Sequence, residues 1–271
     1  MSIRIFVICL ILLFTFEKVF AQPGLQFPEH GSVYVIAHRG VHSGIPENSI
    51  SAYQEAIRIG CDFIEIDVRT TRDGQLISIH NSTIDEYASG QTGKVRDLTL
   101  AELRKLDIGE KSGAKWSGTH IPTLEEVLQV SKGKIKIYLD LKDADPSDII
   151  SLLVKYGMQQ QVVWYIPGNL HKAIMEVKQE CPPCLVMPDP GDLANIERVA
   201  VAYNPPVIAT DMKHLSLEFV QKAHERRILV FTDDDEGNPE EWEKMIAMGT
   251  DGIQTDAPEE LIKYLQSRKG K

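Results

Sequence analysis

The chain has 271 residues, 43% of them hydrophobic and 25% charged, with a formal net charge of −10; this composition suits one barrel-sized globular domain. No lysine or arginine stripe offsets the acidity, which excludes nucleic acid as an expected partner and requires any anionic substrate to be attracted locally, by a metal ion or a few placed cations. Cys9 lies in an N-terminal apolar run, and the remaining Cys61, Cys181 and Cys184 are an odd set that excludes a disulfide framework as the basis of the fold.

In chain order, Arg4 precedes an apolar run over 5–16, and Val19-Phe20-Ala21 offers small or short side chains where a signal peptidase reads. A signal peptide over 1–21 is expected, leaving 22–271 as one exported domain, periplasmic or secreted. The run is too short for a stable membrane anchor. After it, β-rich runs at 33–37, 63–68, 76–79, 135–141, 162–166, 185–187, 207–209, 228–231 and 252–254 alternate with amphipathic helical stretches, the pattern of parallel strands joined by helical crossovers. That is one run more than an eight-stranded barrel needs, and 185–187 or 207–209 is expected to be loop.

Helix starts are marked by Asn48 before 49–59, and by capping boxes at Thr99 with Glu102 and Thr123 with Glu126. Only turn-like residues, Asp73-Gly74 among them, separate 68 from 76, so the second and third strands lack a crossover helix. A long polar insertion over about 81–121 follows the third strand, and loops of that length inside compact domains tend to be functional. Cys181-Pro-Pro-Cys184 follows a helical stretch without a thioredoxin-like context, so it is expected to be a local disulfide; Cys61 is expected to be a small core residue.

In such a barrel the site forms at the C-terminal ends of the strands, and polar residues recur there. The first strand ends in His38-Arg39-Gly40, the second carries Glu65-Ile66-Asp67, the third ends in His80, and the fourth carries Asp140-Leu141-Lys142. Two apart on a strand, Glu65 and Asp67 share one face, as do Asp140 and Lys142. Carboxylates side by side inside a barrel repel unless a cation joins them, and an all-oxygen ligand set of Glu65, Asp67 and Asp140 suits calcium or magnesium. Salt bridges to Arg39 and Lys142 without metal are the alternative, and a lone strand-end histidine can equally be structural. His42 and His214 also fall near strand ends, whereas the other histidines are expected at the surface. Taken together, two histidines for acid and base, three carboxylates for a metal and two cations for phosphate oxygens suit phosphoryl transfer better than glycoside hydrolysis, which uses two carboxylates and no metal.

These residues resemble the glycerophosphodiester phosphodiesterase family, in order along nearly the whole chain after the leader. The resemblance rests on His38-Arg39-Gly40 with Pro46-Glu47-Asn48, on Gly60-Cys61-Asp62-Phe63-Ile64-Glu65-Ile66-Asp67-Val68 with Thr71-Arg72-Asp73-Gly74, and on His80. It continues through Leu98-Thr99-Leu100, Ile121-Pro122-Thr123-Leu124-Glu125, Lys142 and Asp251-Gly252-Ile253-Gln254-Thr255-Asp256-Ala257-Pro258. It implies a TIM-type (β/α)8 barrel that hydrolyses glycerophosphodiesters, as small-molecule substrates, to an alcohol and glycerol 3-phosphate. It further implies His38 and His80 as the acid/base pair, Glu65, Asp67 and Asp140 as metal ligands, Arg39 and Lys142 as phosphate clamps, and an insertion shaping the alcohol side. The chain departs from the pattern at Asp140, where the family usually has Glu, at Asn81, where it has Asp, and around Asp85-Glu86-Tyr87 and Phe231-Thr232-Asp233-Asp234. A phospholipase-like phosphodiesterase acting on lipids and a non-catalytic exported binding protein are the alternatives; Gln22 to Gly31 offers no amphipathic membrane helix to the first, and the second has no need of both histidines.

Overall fold

A computed structural model describes residues 25–87 and 90–268; the expected signal peptide lies outside the described residues. In chain order the elements are β1 (Tyr34–Ala37), α1 (Ile50–Ile59), β2 (Phe63–Thr70), β3 (Leu76–Ser78), α2 (Leu100–Leu103), α3 (Leu124–Ser131), β4 (Lys136–Leu141), α4 (Pro146–Tyr156) and β5 (Val162–Pro167). Then follow α5 (His171–Glu180), β6 (Leu185–Asp189), α6 (Ile196–Tyr203), β7 (Val207–Asp211), α7 (Leu217–Glu225), β8 (Leu229–Asp233), α8 (Pro239–Ala247), β9 (Gly252–Thr255) and α9 (Pro258–Arg268).

The sheet runs β6-β5-β4-β2-β1-β9-β8-β7 through parallel ladders, and its two end strands, β6 and β7, lie against each other, so the eight parallel strands form a nearly closed barrel. Period-2 alternation sorts each strand into two faces. Ile64, Ile66, Val68 and Leu139 face outward into the core under the helices, whereas Tyr34, Phe63, Tyr138, Met187 and Phe231 pack inside the barrel. Phe63 and Phe231 meet edge-on at 5.6 Å, with Tyr34 against both, and close the lower barrel as an apolar plug. Emptying such a position, as in Phe63→Ala, costs about 3–5 kcal/mol. The plug also demands a glycine: a Cβ on Gly252 would stand 2.5 Å from the Phe231 ring.

The structure corrects three expectations about the elements. Both 185–187 and 207–209 lie in barrel strands, β6 and β7, which continue two residues further, to Asp189 and Asp211. The surplus strand is instead β3, which pairs antiparallel with β2, Thr70 opposite Leu76. It is a hairpin arm of β2, as the missing crossover helix requires. Finally, Ser49 rather than Asn48 caps α1. Asn48 sits in the left-handed region at φ 49, which Asn tolerates better than most residues, and its side chain serves the site.

Both capping boxes form, Thr99 with Glu102 and Thr123 with Glu126, and Cys181 and Cys184 are bonded at S–S 2.01 Å. Cys61 is free and buried. The insertion carries its own apolar cluster, Ile84, Tyr87, Val95, Leu103, Leu106, Ile108 and Ile121 against Ile77 and Ile79, so it is a packed appendage of the hairpin. No described helix is long and apolar enough to cross a membrane.

Candidate active site

β2 and β4 run in register with Asp67 opposite Asp140 and Glu65 opposite Tyr138, which brings Glu65, Asp67 and Asp140 together at the barrel mouth. One ligand oxygen from each lies within 4.8 Å of the others. Glu65 and Asp67 are 2% and 1% exposed, so water screens them poorly. At this spacing each pair of ionised carboxylates repels by about 3 kcal/mol at an effective dielectric constant near 20. Burial, reinforced by Asp67 and Asp140, accordingly holds the Glu65 carboxyl well above the usual range, and burial also raises Asp140. Lys142 answers part of this charge, its Nζ lying 2.6 Å from Asp140 and 3.1 Å from Asp67. The remaining negative charge and the hard oxygen donors fit a divalent ion such as calcium or magnesium.

The turn after β1 supplies the next groups. Arg39 takes a left-handed conformation at φ 53, followed by Gly40 at φ 80, where a Cβ would collide with the Ala52 backbone at 2.8 Å. The bend turns the Arg39 N–H onto Glu65 Oε2 at 2.8 Å and anchors its guanidinium on Glu47 at 3.0 Å. Arg39 Nε donates to His38 Nε2 at 3.2 Å, while His38 Nδ1 meets Asp256 Oδ1 at 2.6 Å. These partners assign the tautomer: Nδ1 carries the proton and Nε2 presents its lone pair. His42 Nε2 binds the same Asp256 oxygen at 2.9 Å. Hydrogen bonds from His38 and His42 hold the Asp256 carboxyl far below the usual range. Beneath, Asn48 donates to Asp67 at 2.8 Å and accepts from the buried Tyr53 and Ser78 hydroxyls at 2.8 and 2.9 Å, fixing the orientation of Asp67.

His80 reaches the mouth by a route other than the one expected. It follows an antiparallel strand, so the β2–β3 hairpin rises past the rim and folds back to bring it there. Arg69 clamps the His80 carbonyl with Nε and Nη2 at 2.9 and 2.7 Å, and Asp140 feels the His80 charge. His80 Nδ1 donates to Asn81 Oδ1 at 2.8 Å; the Asn81 amide is itself oriented by donating to Glu86 at 2.8 Å. Tyr87 accepts the Asn81 N–H at 3.0 Å and donates to Glu47 at 3.2 Å, and Trp116 donates to the Gly44 carbonyl at 2.6 Å. The insertion thus locks onto the β1–α1 loop across the mouth.

All seven residues singled out from sequence, His38, Arg39, Glu65, Asp67, His80, Asp140 and Lys142, therefore sit at one end of the barrel. The partners Asp256, Asn48, Tyr53 and Asn81 were not foreseen in these roles. Nor were Asp189, Asp211 and Asp233, which end β6, β7 and β8 on the opposite side of the mouth. Burial pushes the Asp233 carboxyl up to about 7. His214, near a strand end, pairs with Asp211 at 2.6 Å and not with the carboxylate trio. A cavity of about 510 Å3 opens at the other end of the barrel, lined by Tyr34, Asp62, Lys134 and Lys136 among others; it holds none of these groups.

A parallel barrel that gathers a carboxylate trio, two oriented histidines and two cations at the C-terminal ends of its strands has the layout of an enzyme active site. Comparison with known proteins gives the family. The model of the glycerophosphoryl diester phosphodiesterase family matches residues 38–164. A glycerophosphodiester phosphodiesterase of Caldanaerobacter subterraneus is 34% identical over 252 residues, 87% of this chain and 98% of its own length; one of Bacillus altitudinis is 26% identical over 87% and 99%. Among solved structures, a glycerophosphodiester phosphodiesterase of Agrobacterium tumefaciens matches with a TM-score of 0.76 at 22% identity, covering 85% of this chain and 99% of its own. An Oleispira antarctica phosphodiesterase, solved with its product sn-glycerol-3-phosphate, matches with a TM-score of 0.75 at 22% identity over 86% and 96%. The chain belongs to the glycerophosphodiester phosphodiesterase family, and it is an enzyme of that family.

Proposed function

We propose that the enzyme hydrolyses glycerophosphodiesters to an alcohol and glycerol 3-phosphate, with a divalent ion held by Glu65, Asp67 and Asp140 and with His38 and His80 moving the protons. The observation that carries this reading is the buried trio of carboxylates beside an imidazole whose Nε2 is unprotonated, its lone pair accepting only the long hydrogen bond from Arg39 Nε. The product bound to the Oleispira antarctica phosphodiesterase supports the product assignment. A calcium or magnesium ion there would supply a Lewis acid for a phosphoryl oxygen and acidify a neighbouring hydroxyl.

His38 Nε2 takes the proton of the glycerol 2-hydroxyl as that oxygen attacks phosphorus. The bond from phosphorus to the head-group oxygen breaks, and His80 gives its proton to the departing alcohol. The resulting cyclic phosphate is opened by water with the two histidines in reversed roles. Arg39 and Lys142 place positive charge at the lip for the non-bridging oxygens. We also propose export: the N-terminal leader pattern and the Cys181–Cys184 disulfide both suit an oxidising compartment, and sequencing of native protein should begin near Gln22, not Met1.

The activity is tested by exhaustive chelation followed by a panel of glycerophosphodiesters assayed for released glycerol 3-phosphate, with calcium or magnesium added back. Loss on chelation and recovery with either ion is expected. Full turnover of the chelated protein would overturn the metal assignment, and failure to cleave any member of the panel would overturn the activity.

A further inference from the structure

Two imidazoles converge on one carboxylate oxygen beside the phosphate clamp. His38 Nδ1 lies 2.6 Å from Asp256 Oδ1, and His42 Nε2 lies 2.9 Å from the same atom. The carboxylate accepts from both, so His42, like His38, turns an N–H toward it. The two rings stand edge to face with centroids 6.3 Å apart. The His42 imidazole makes no other hydrogen bond or ion pair among the described residues, and the proton transfers proposed above leave it without a task. The other charged groups facing this pair are Arg39 from the turn after β1, itself held by Glu47, and Asp233 and Asp234 at the end of β8.

The two histidines that move the protons are partnered unequally. His80 Nδ1 rests on the neutral Asn81 amide oxygen at 2.8 Å, whereas His38 Nδ1 rests on a carboxylate. An anion at Nδ1 favours the imidazolium, which makes the ring a stronger base and a weaker acid. That bias suits the first step and hinders the second. In the first, His38 Nε2 takes the 2-hydroxyl proton as the oxygen–phosphorus bond forms and the head-group bond breaks. In the second, that oxygen–phosphorus bond breaks as water attacks; His80 takes the water proton, and His38 returns its own to the glycerol oxygen. A ring that must both take and give a proton works best when neither of its forms is strongly favoured. A second N–H on Asp256 Oδ1 draws off part of the oxygen's charge and lessens its pull on His38.

We propose that His42 is a positioning residue that tempers the base: by sharing Asp256 Oδ1 it keeps His38 able to return the proton it has taken. The proposal rests on the two-step glycerophosphodiester hydrolysis proposed above. It requires His42 to act through the proton balance of His38, so its loss should change how the rate depends on pH. A residue that only anchored the loop after β1 would change stability, or the rate at every pH alike.

The test compares the wild type with His42→Ala and His42→Gln at saturating calcium or magnesium. It follows kcat/KM for a glycerophosphodiester against pH, the share of product released as glycerol cyclic phosphate by phosphorus NMR, and the melting temperature. With Asp256 left to His38 alone, the acid limb of the His42→Ala profile should move to higher pH by about half to one unit, and the cyclic phosphate share should rise about two- to threefold. Arg39, Asp233, Asp234 and Asp256 are common to all three proteins, so the difference reports on His42. His42→Gln, whose amide offers Asp256 a neutral N–H at similar reach, should restore most of both values. A folded His42→Ala whose acid limb stays at the wild-type pH would overturn the proposal while leaving the phosphodiesterase activity standing, as would a lower melting temperature with kcat/KM reduced equally at every pH. Absence of cleavage by the wild type would take down both readings.

Discussion

The two halves of the barrel mouth are lined with carboxylates and partner them in opposite ways. On the β1, β2 and β4 side, each carboxylate has its own support: Glu65 takes the Arg39 N–H, Asp67 takes Asn48 and Lys142, and Asp140 takes Lys142. On the β6, β7 and β8 side, Asp189, Asp211 and Asp233 have neither lysine nor arginine as an ion-pair partner among the described residues, and Asp233 has no hydrogen bond. Carboxylates ordered by a dense polar network are prepared to hold one ion in a fixed place. Carboxylates left loosely partnered around a cleft give it a negative potential. Position in the network, more than residue type, separates the two halves.

Substitutions on the first half should hurt most. His38→Ala and His80→Ala should each lower kcat by about a hundred- to ten-thousandfold and change KM modestly, because Arg39, Lys142 and the ion proposed on the carboxylate trio would still hold the phosphate. Melting temperature measured beside kcat separates this from a structural role, in which the protein would be destabilised yet keep near-normal specific activity. Asp256→Asn should cost less, roughly ten- to a hundredfold in kcat. The side chain acts through His38, whose tautomer it fixes, so the loss should come with a displaced pH–rate profile, and Asp256→Glu should recover part of the activity.

The smallest effect is expected on the second half, and in stability. Asp233 has a folded-state pKa near 7, above the ordinary 3.8, so the native state binds the proton more tightly than the unfolded chain. Its stabilising contribution is fully present below about 3.8 and is lost as the pH rises through 7. Asp233→Asn should therefore gain about 1–2 kcal/mol relative to the wild type between pH 5 and pH 6.5, measured by denaturant unfolding. A constant difference across that range would show that Asp233 stays ionised, and the contrast between the two halves would weaken.

The same division governed what the sequence could disclose. Glu65-Ile66-Asp67 and Asp140-Leu141-Lys142 announce themselves because each pair lies inside an apolar run, where a charge is conspicuous. Asp189, Asp211 and Asp233 lie just past runs whose last apolar residues are Met187, Ala209 and Phe231, and a strand traced by hydrophobicity stops there although the ladder does not. His80 was recognised, but the antiparallel turn that delivers it was not, because a three-residue strand has too few positions to declare its direction. The Asp256 contact to His38 spans 218 positions, and only closure of the barrel brings β9 beside β1. Asn48 looked like a cap because Asn caps helices well; its neighbour Ser49 took that task.

The central claim, that the first half of the mouth is completed by a divalent ion, is tested most directly by the melting temperature of the wild type and of Glu65→Gln, each after chelation and after addition of calcium or magnesium. Gln can still accept the Arg39 N–H, so without the ion the substitution only removes a buried repulsion and should leave Tm unchanged or raise it. With the ion at a hundredfold its Kd, the wild type should gain about 2.7 kcal/mol, roughly 5–10 °C for a chain of this size, and Glu65→Gln should gain little, so that the order of the two proteins reverses. A cluster held by Arg39 and Lys142 alone would instead leave the wild-type Tm indifferent to either ion and make Glu65→Gln equally destabilising with and without it, and that result would contradict the account.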